Sequence, residues 1–269
     1  MDPILVTGGT GTLGHHVVRR LREKGHGVRV LTRSRREDED GVRFITGDLL
    51  AGPEIEPAVE GVGTIVHAAG SNKGDEVATQ HLVDVAARAG RPHVVYVSVV
   101  GADRVPVRSR IDRLMFSYFD MKRRAEEVVA RSRLPWTTIR ATQFYDLLLK
   151  VAQAIAKLPV VPVPSGTAFQ PVDADEVAAA MVELALSEPR GLVPDIAGPR
   201  VYPTADLIRA YLRATHRRRP FVPIPLPGEA ARAIRSGVHL APDRAVGTVT
   251  WEQFLANHVA HTTREAVRT

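Results

Sequence analysis

The sequence predicts an α/β fold built on a doubly wound parallel sheet. Three observations carry this. Short β-branched runs alternate with helical patterns through the first half of the chain. The runs are almost wholly apolar, as strands become when helices cover both faces of their sheet. A glycine-rich turn joins the first run to the first helix.

Taken in order, Ile4-Leu5-Val6 reads as the first strand, and Leu13 to Lys24 as a helix ended by Gly25. Val28 to Leu31, Val42 to Thr46 and Thr64 to Val66 are further strands. Gln80 to Ala89 is a helix closed by Gly90, Val94 to Val97 a fifth strand, and Met115 to Arg131 a long helix. Trp136 to Ile139, entered through Pro135, is a sixth strand. The texture then changes. Helices are expected over Asp146 to Lys157 and Asp173 to Ser187, around a Pro- and Val-rich stretch from Pro159 to Pro171. Pro194 to Ala197 reads as a last strand, and a proline-rich end follows. The expected division is a core over 1–197, open to substrate-site insertions after 140, and a small C-terminal lobe over 198–269 that covers the substrate.

Composition narrows the chemistry. With no cysteine, disulfides, thiolate metal sites and cysteine nucleophiles are excluded. His15, His16 and His67 show no metal-ligand spacing, so no metal is assigned. Met1-Asp2-Pro3 runs straight into the first strand, without the basic-then-apolar pattern of a signal peptide, and no apolar run reaches the ~18 residues of a membrane span. The expectation is a cytoplasmic protein with no membrane partner. The net charge of +6 would suit nucleic acid. The basic residues are not gathered in one stretch, however, and the densest runs are Arg104 to Arg113 and Arg217 to Arg219. Charge alone therefore assigns no nucleic-acid partner.

The turn after the first strand, Thr7-Gly8-Gly9-Thr10-Gly11-Thr12-Leu13-Gly14, is a GxxGxxG loop that opens into a helix. One glycine permits the tight turn, one lets backbone approach a diphosphate, and one permits close packing of helix on strand. The helix N-terminus presents free N–H groups and a positive dipole end. A strand before and a helix after make this a dinucleotide-binding, Rossmann-type signature. Gly8, Thr10, Gly11, Thr12, Leu13 and Gly14 are the candidate phosphate contacts. About 20 residues further on, where an acidic residue would suit NAD, stands Thr32-Arg33-Ser34-Arg35-Arg36. A guanidinium at Arg33, with Ser34 beside it, suits the 2′-phosphate of NADP(H). The other reading of this stretch is a solvated loop paired with Glu37 to Asp40. Asp48 and Leu49, after the third strand, are placed for the adenine edge. Ala68-Ala69-Gly70, after the fourth, allows backbone close to the coenzyme.

Tyr118-Phe119-Asp120-Met121-Lys122 places a phenol and an ammonium on one helical face, shared with Ala125 and Val129. A cation beside a phenol favours the phenolate, so such a pair can exchange a proton with a carbonyl oxygen. A packing Tyr beside a snorkelling Lys gives the same spacing.

Together the loop Thr7 to Gly14, Ala68-Ala69-Gly70, Ser98 after the fifth strand and Tyr118-x-x-x-Lys122 resemble the short-chain dehydrogenase/reductase superfamily, with the glycine spacing of its extended and atypical branches. Leu134 to Arg140 and Phe169 to Asp173 resemble its NmrA-like atypical group. The resemblance implies that Tyr118 and Lys122 are catalytic and that Lys122 also holds the coenzyme. It implies roles for Ser98 and Asp75 in place of the family's serine and asparagine, although the usual serine position falls at Val99 and Val100. It also places Ala141 against the coenzyme and Phe144 and Tyr145 at the substrate mouth. Asp75 reads equally as a helix cap, and Phe144 and Tyr145 as core. Two functions stand open. One is an NADP(H)-dependent oxidoreductase acting on a small carbonyl, quinone or sugar-like compound, with epimerase or dehydratase chemistry as a variant. The other is an NmrA-like redox sensor that binds NADP(H) and regulates a protein partner.

Overall fold

The computed structural model describes residues 2–70 and 74–258. In chain order the elements are β1 (Ile4–Thr7), α1 (Gly14–Glu23), β2 (Val28–Thr32), β3 (Val42–Thr46), α2 (Glu56–Val59), β4 (Thr64–His67), α3 (Asp75–Arg88), β5 (His93–Val99), α4 (Arg110–Arg131) and β6 (Trp136–Ala141). There follow α5 (Tyr145–Ile155), β7 (Val161–Pro164), β8 (Ala168–Phe169), α6 (Ala174–Ala185), β9 (Gly191–Leu192), β10 (Tyr202–Pro203), α7 (Thr204–Ala214), β11 (Phe221–Ile224) and α8 (Glu229–Arg235).

The chain forms two units. The first comprises residues up to Asp103, Ser117–Arg140 and Ala174–Pro194; the second comprises Arg104–Phe116, Ala141–Asp173 and residues from Asp195 on. The sequence reading divides the chain once, at 197/198. The units instead interleave, because segments leaving the C-terminal ends of β5 and β6 enter the second unit and the chain then returns to the first.

The first unit carries the expected parallel sheet, with strand order β3-β2-β1-β4-β5-β6-β9. Order reverses between β1 and β4, whose register pairs Thr7 with His67. In open α/β sheets ligands bind at the carboxyl ends of strands at such a reversal. β1 and β5 are buried along their whole length, which explains their unbroken apolar character. On one face Leu5, Ile65, Leu82, Val94, Tyr96, Ala125 and Val129 form a continuous core. On the other, α1 packs against α6. There Asp175 takes both nitrogens of the Arg20 fork at 2.8 and 2.7 Å and Arg19 at 2.6 Å.

Three boundaries differ from expectation, each for a local reason. α3 begins at Asp75 rather than Gln80, since Asp75 and Glu76 favour the positive helix end but carry no apolar periodicity. α4 begins at Arg110 rather than Met115. Ser109 and Asp112 bond each other's amides at 3.0 Å, a reciprocal capping box that the polar run conceals. The last sheet strand is Gly191–Leu192, registered on Thr137 and Thr138. Of the expected Pro194 to Ala197 strand, Ile196 makes an isolated bridge to Ala141.

The second unit has its own core. Tyr145 stacks on Trp251 and Phe254 at 5.6 and 5.1 Å between ring centres, packed with Leu148, Leu207 and Tyr211. β7 pairs with β11 in parallel and β8 with β10 antiparallel. Among the described residues, no helix is long and apolar enough to cross a membrane.

Candidate active site

The glycine loop folds as a diphosphate cradle would. Gly8 takes φ +69°, a conformation that glycine adopts without strain, and a Cβ there would lie 2.6 Å from the Ala69 nitrogen. A Cβ on Gly14 would overlap the Gly8 carbonyl oxygen. The Gly11 amide turns back onto that same oxygen at 2.9 Å. The amides of Thr12, Leu13 and Gly14, at the entrance of α1, have no protein acceptor among the described residues. Close helix–strand packing falls to a glycine outside the GxxGxxG count. A Cβ on Gly9 would meet Val30 Cγ1 at 2.8 Å and Val18 Cγ2 at 3.2 Å. Residue types and geometry therefore fit a nicotinamide coenzyme's diphosphate, with Thr10 and Gly11 exposed at the rim.

Arg33 and Ser34 lie exposed just beyond β2. Arg33 has no ion-pair partner among the described residues, while Asp38 is occupied by the Phe44 amide at 2.8 Å. Asp48 caps the turn Leu49–Ala51 by accepting from the Leu50 amide at 3.0 Å, and the Leu49 carbonyl accepts from His81 at 2.8 Å. Ala68 and Ala69 are held over the loop by β1: the Ala68 amide donates to the Thr7 carbonyl at 3.2 Å.

The buried ammonium of Lys122 lies nearby. Only 4% of this residue is exposed. Its Nζ lies 3.2 Å from the Asp75 carboxylate and donates to the Tyr96 hydroxyl at 3.3 Å. A Cβ on Gly70 would lie 3.4 Å from it. Burial works against the charge, but Tyr96, Tyr118 and Asp75 outweigh it and hold the ammonium above the ordinary lysine value. Asp75 is the first helical residue of α3, and the capping position belongs to Gly74 at φ +82°. Tyr118, one turn before Lys122, is 41% exposed, and Nζ stands 5.9 Å from the centre of its ring.

Behind Lys122 is a network that sequence reasoning missed. The Tyr96 phenol is buried and its ionisation is pushed up to about 12, chiefly by burial. His67 stacks on it at 5.3 Å. Thr79 donates its hydroxyl proton to the Asp75 carbonyl at 2.6 Å, so it can only accept from His67 Nε2 at 3.1 Å. Nε2 therefore carries the proton. His67 Nδ1 accepts from Thr7 at 2.7 Å, and the Thr7 oxygen accepts from the Ala69 amide at 3.4 Å. Burial pushes His67 down to about 4. The one sequence signal for this network was a histidine and a threonine ending adjacent strands.

Ser98 is buried, and its hydroxyl has no partner among the described residues. Val99 and Val100, where the resemblance would put a serine, are buried too. Ala141 ends β6 and bridges Ile196. Arg140 grips both oxygens of Glu126 at 2.9 and 2.7 Å. Phe144, half-buried, precedes α5 in extended conformation. Tyr145, named with it as a substrate contact, is instead core. It is fully buried in the aromatic stack, and its hydroxyl donates to the Val249 carbonyl at 2.6 Å.

Comparison with known proteins bears on the family and the fold. The chain is 26% identical over 189 residues to the photosystem II assembly factor Ycf39 of Trieres chinensis, covering 65% of this chain and 57% of that protein. The chain spans about half the length (46–57%) of the first curated relatives it matches. It is 29% identical over 243 residues to the NAD(P)H azoreductase of Xenophilus azovorans, covering 87% and 81% of the two chains. The fold is similar to that of the NADPH-dependent quinone oxidoreductase of Escherichia coli complexed with NADPH, with a TM-score of 0.78, 17% identity and coverage of 95% and 99%. Residues 8–188, from the glycine loop through α6, match a family model described as NAD(P)H-binding. With the glycines of the loop, strands β2 to β6 and the buried lysine inside that match, the chain belongs to the NAD(P)H-binding family.

Proposed function

We propose that this protein is an NADPH-dependent reductase of a small carbonyl- or quinone-type compound. The observation that carries the reading is the Lys122 ammonium, buried against Asp75 and one helical turn from the exposed Tyr118 phenol. A charge is rarely kept in such a place without a partner or a task. Resemblance to an NAD(P)H azoreductase over 87% of the chain supports a reductive reaction.

The amides of Thr12, Leu13 and Gly14 bind the diphosphate, and Arg33 with Ser34 takes the 2′-phosphate. When bound, NADPH supplies the hydride. Tyr118 donates a proton to the substrate oxygen. Lys122 orients the coenzyme's ribose hydroxyls and stabilises the phenolate left on Tyr118. Asp75 keeps the ammonium in place.

NADPH oxidation against a panel of quinones, aldehydes and azo compounds tests this. Tyr118→Phe should lower kcat about 100-fold, within the usual range for a positioned acid, with KM for NADPH changed little. A rate unaffected by Tyr118→Phe contradicts the assignment. Val99 and Val100 favour a second reading, a non-catalytic NADP(H) sensor for a protein partner, because no hydroxyl stands there to polarise a substrate carbonyl. Tight NADPH binding with no turnover of any panel member would select it.

A further inference from the structure

Lys122 is the least self-sufficient group in the site. Its ammonium ends a flexible four-carbon stem, and a buried ammonium needs acceptors to replace water. Asp75 supplies one acceptor, from the first turn of α3. The second comes from the strand beneath. Tyr96, on β5, accepts from Nζ at 3.3 Å and lays its ring 5.1 Å from the charge. Burial keeps this phenol protonated, so Tyr96 acts as a neutral acceptor rather than a counter-ion.

The phenol is itself held. His67 stacks on its ring at 5.3 Å, and both imidazole nitrogens are committed, Nε2 to Thr79 and Nδ1 to Thr7. Thr79 belongs to the same helix as Asp75 and bonds the Asp75 carbonyl. Thr7 is the last residue of β1 and directly precedes the glycine loop. Among the described residues, the titratable groups facing Lys122 are thus Asp75 of α3, Tyr96 of β5, Tyr118 of its own helix, and His67 of β4 behind Tyr96.

We propose that Tyr96 is a positioning residue for Lys122: its hydroxyl and the Asp75 carboxylate fix the ammonium from two sides, and His67 fixes the phenol. The inference rests on Lys122 working beside the coenzyme and Tyr118. It adds a mechanical link, since Thr7 joins the lysine clamp to the strand that carries the phosphate loop. A lysine held this way keeps one position whether or not coenzyme is present.

The test uses the full chain and the isosteric variant Tyr96→Phe. Acetic anhydride labelling of Lys122 is measured by peptide mass against the exposed Lys24, Lys150 and Lys157 as internal standards. Losing one hydrogen bond to a charged group should raise the relative labelling of Lys122 about tenfold and lower kcat about tenfold, with KM for NADPH nearly unchanged. Leu82→Ala is the control. It loosens the core that Tyr96 shares without touching Lys122, and at equal loss of stability it should raise labelling far less. Unchanged labelling in Tyr96→Phe overturns the proposal, as does an equal rise in both variants. If Lys122→Ala leaves turnover intact, the proposed function fails, while the labelling still decides the clamp.

Discussion

A buried imidazole with both nitrogens engaged keeps one protonation state, and His67 shows the consequence for stability. Its folded value lies near 4, against 6.5 for the free side chain, chiefly through burial. The unfolded chain therefore binds a proton that the folded chain refuses. Stability is full above pH 6.5 and falls as pH drops from 6.5 towards 4. A shift of this size corresponds to about 3 kcal/mol. His67→Gln should lower stability at neutral pH yet flatten the fall over that window, as read by urea unfolding at pH 7, 5.5 and 4.5. An unchanged slope would remove His67 as its source. Residue-scale legibility followed sequence distance. Gly8, Gly14, Tyr118 and Lys122 were singled out because a glycine spacing and an i,i+4 pair are local patterns, although the groups that Lys122 meets, Asp75 and Tyr96, are not local. Tyr96 and His67 were not, since each acts on residues far along the chain, across strands whose register no local pattern reveals. Tyr145 left two readings open because an aromatic residue after a strand end looks alike at a pocket mouth and in a core.

At the scale of elements, α1 is fastened by its basic face rather than by propensity alone. Asp175, in the first turn of α6, is held down to about 2, first by hydrogen bonds from Arg20 and then from Arg19. Its contribution is present above the ordinary carboxylate value of 3.8 and is lost as pH falls from there towards 2. Because these side chains are partly solvated, the clasp is worth about 1–2 kcal/mol rather than a buried pair's full value. Asp175→Asn should lower Tm by about 3–6 °C at pH 7, and the gap to wild type should shrink near pH 3. A gap constant with pH would mean that lost packing, not charge, is responsible. Strands and helices with strong periodicity, such as β1, β5 and α1, were legible to within a residue or two. The starts of α3 and α4 were not, because a helix entrance made of Asp75-Glu76 or of the Ser109–Asp112 box is written in polar residues that a search for apolar periodicity passes over.

For the whole molecule, the strand order places the reversal between β1 and β4, and with it Thr7, the glycine loop, Ala69 and the Lys122 clamp at one end of one sheet. The central claim is that this end binds NADPH through the loop's backbone, with Arg33 selecting the 2′-phosphate. Ligand that binds only the folded state stabilises it by about 2.7 kcal/mol at a hundredfold excess over Kd, so coenzyme should also protect the chain against heat. The most direct measurement is a calorimetric titration of the full chain with NADPH and with NADH, repeated on Gly14→Val. The account predicts saturable one-to-one binding, tighter for NADPH and abolished in Gly14→Val, whose side chain would overlap the Gly8 carbonyl. No heat with either coenzyme, or binding that survives Gly14→Val unchanged, would contradict it.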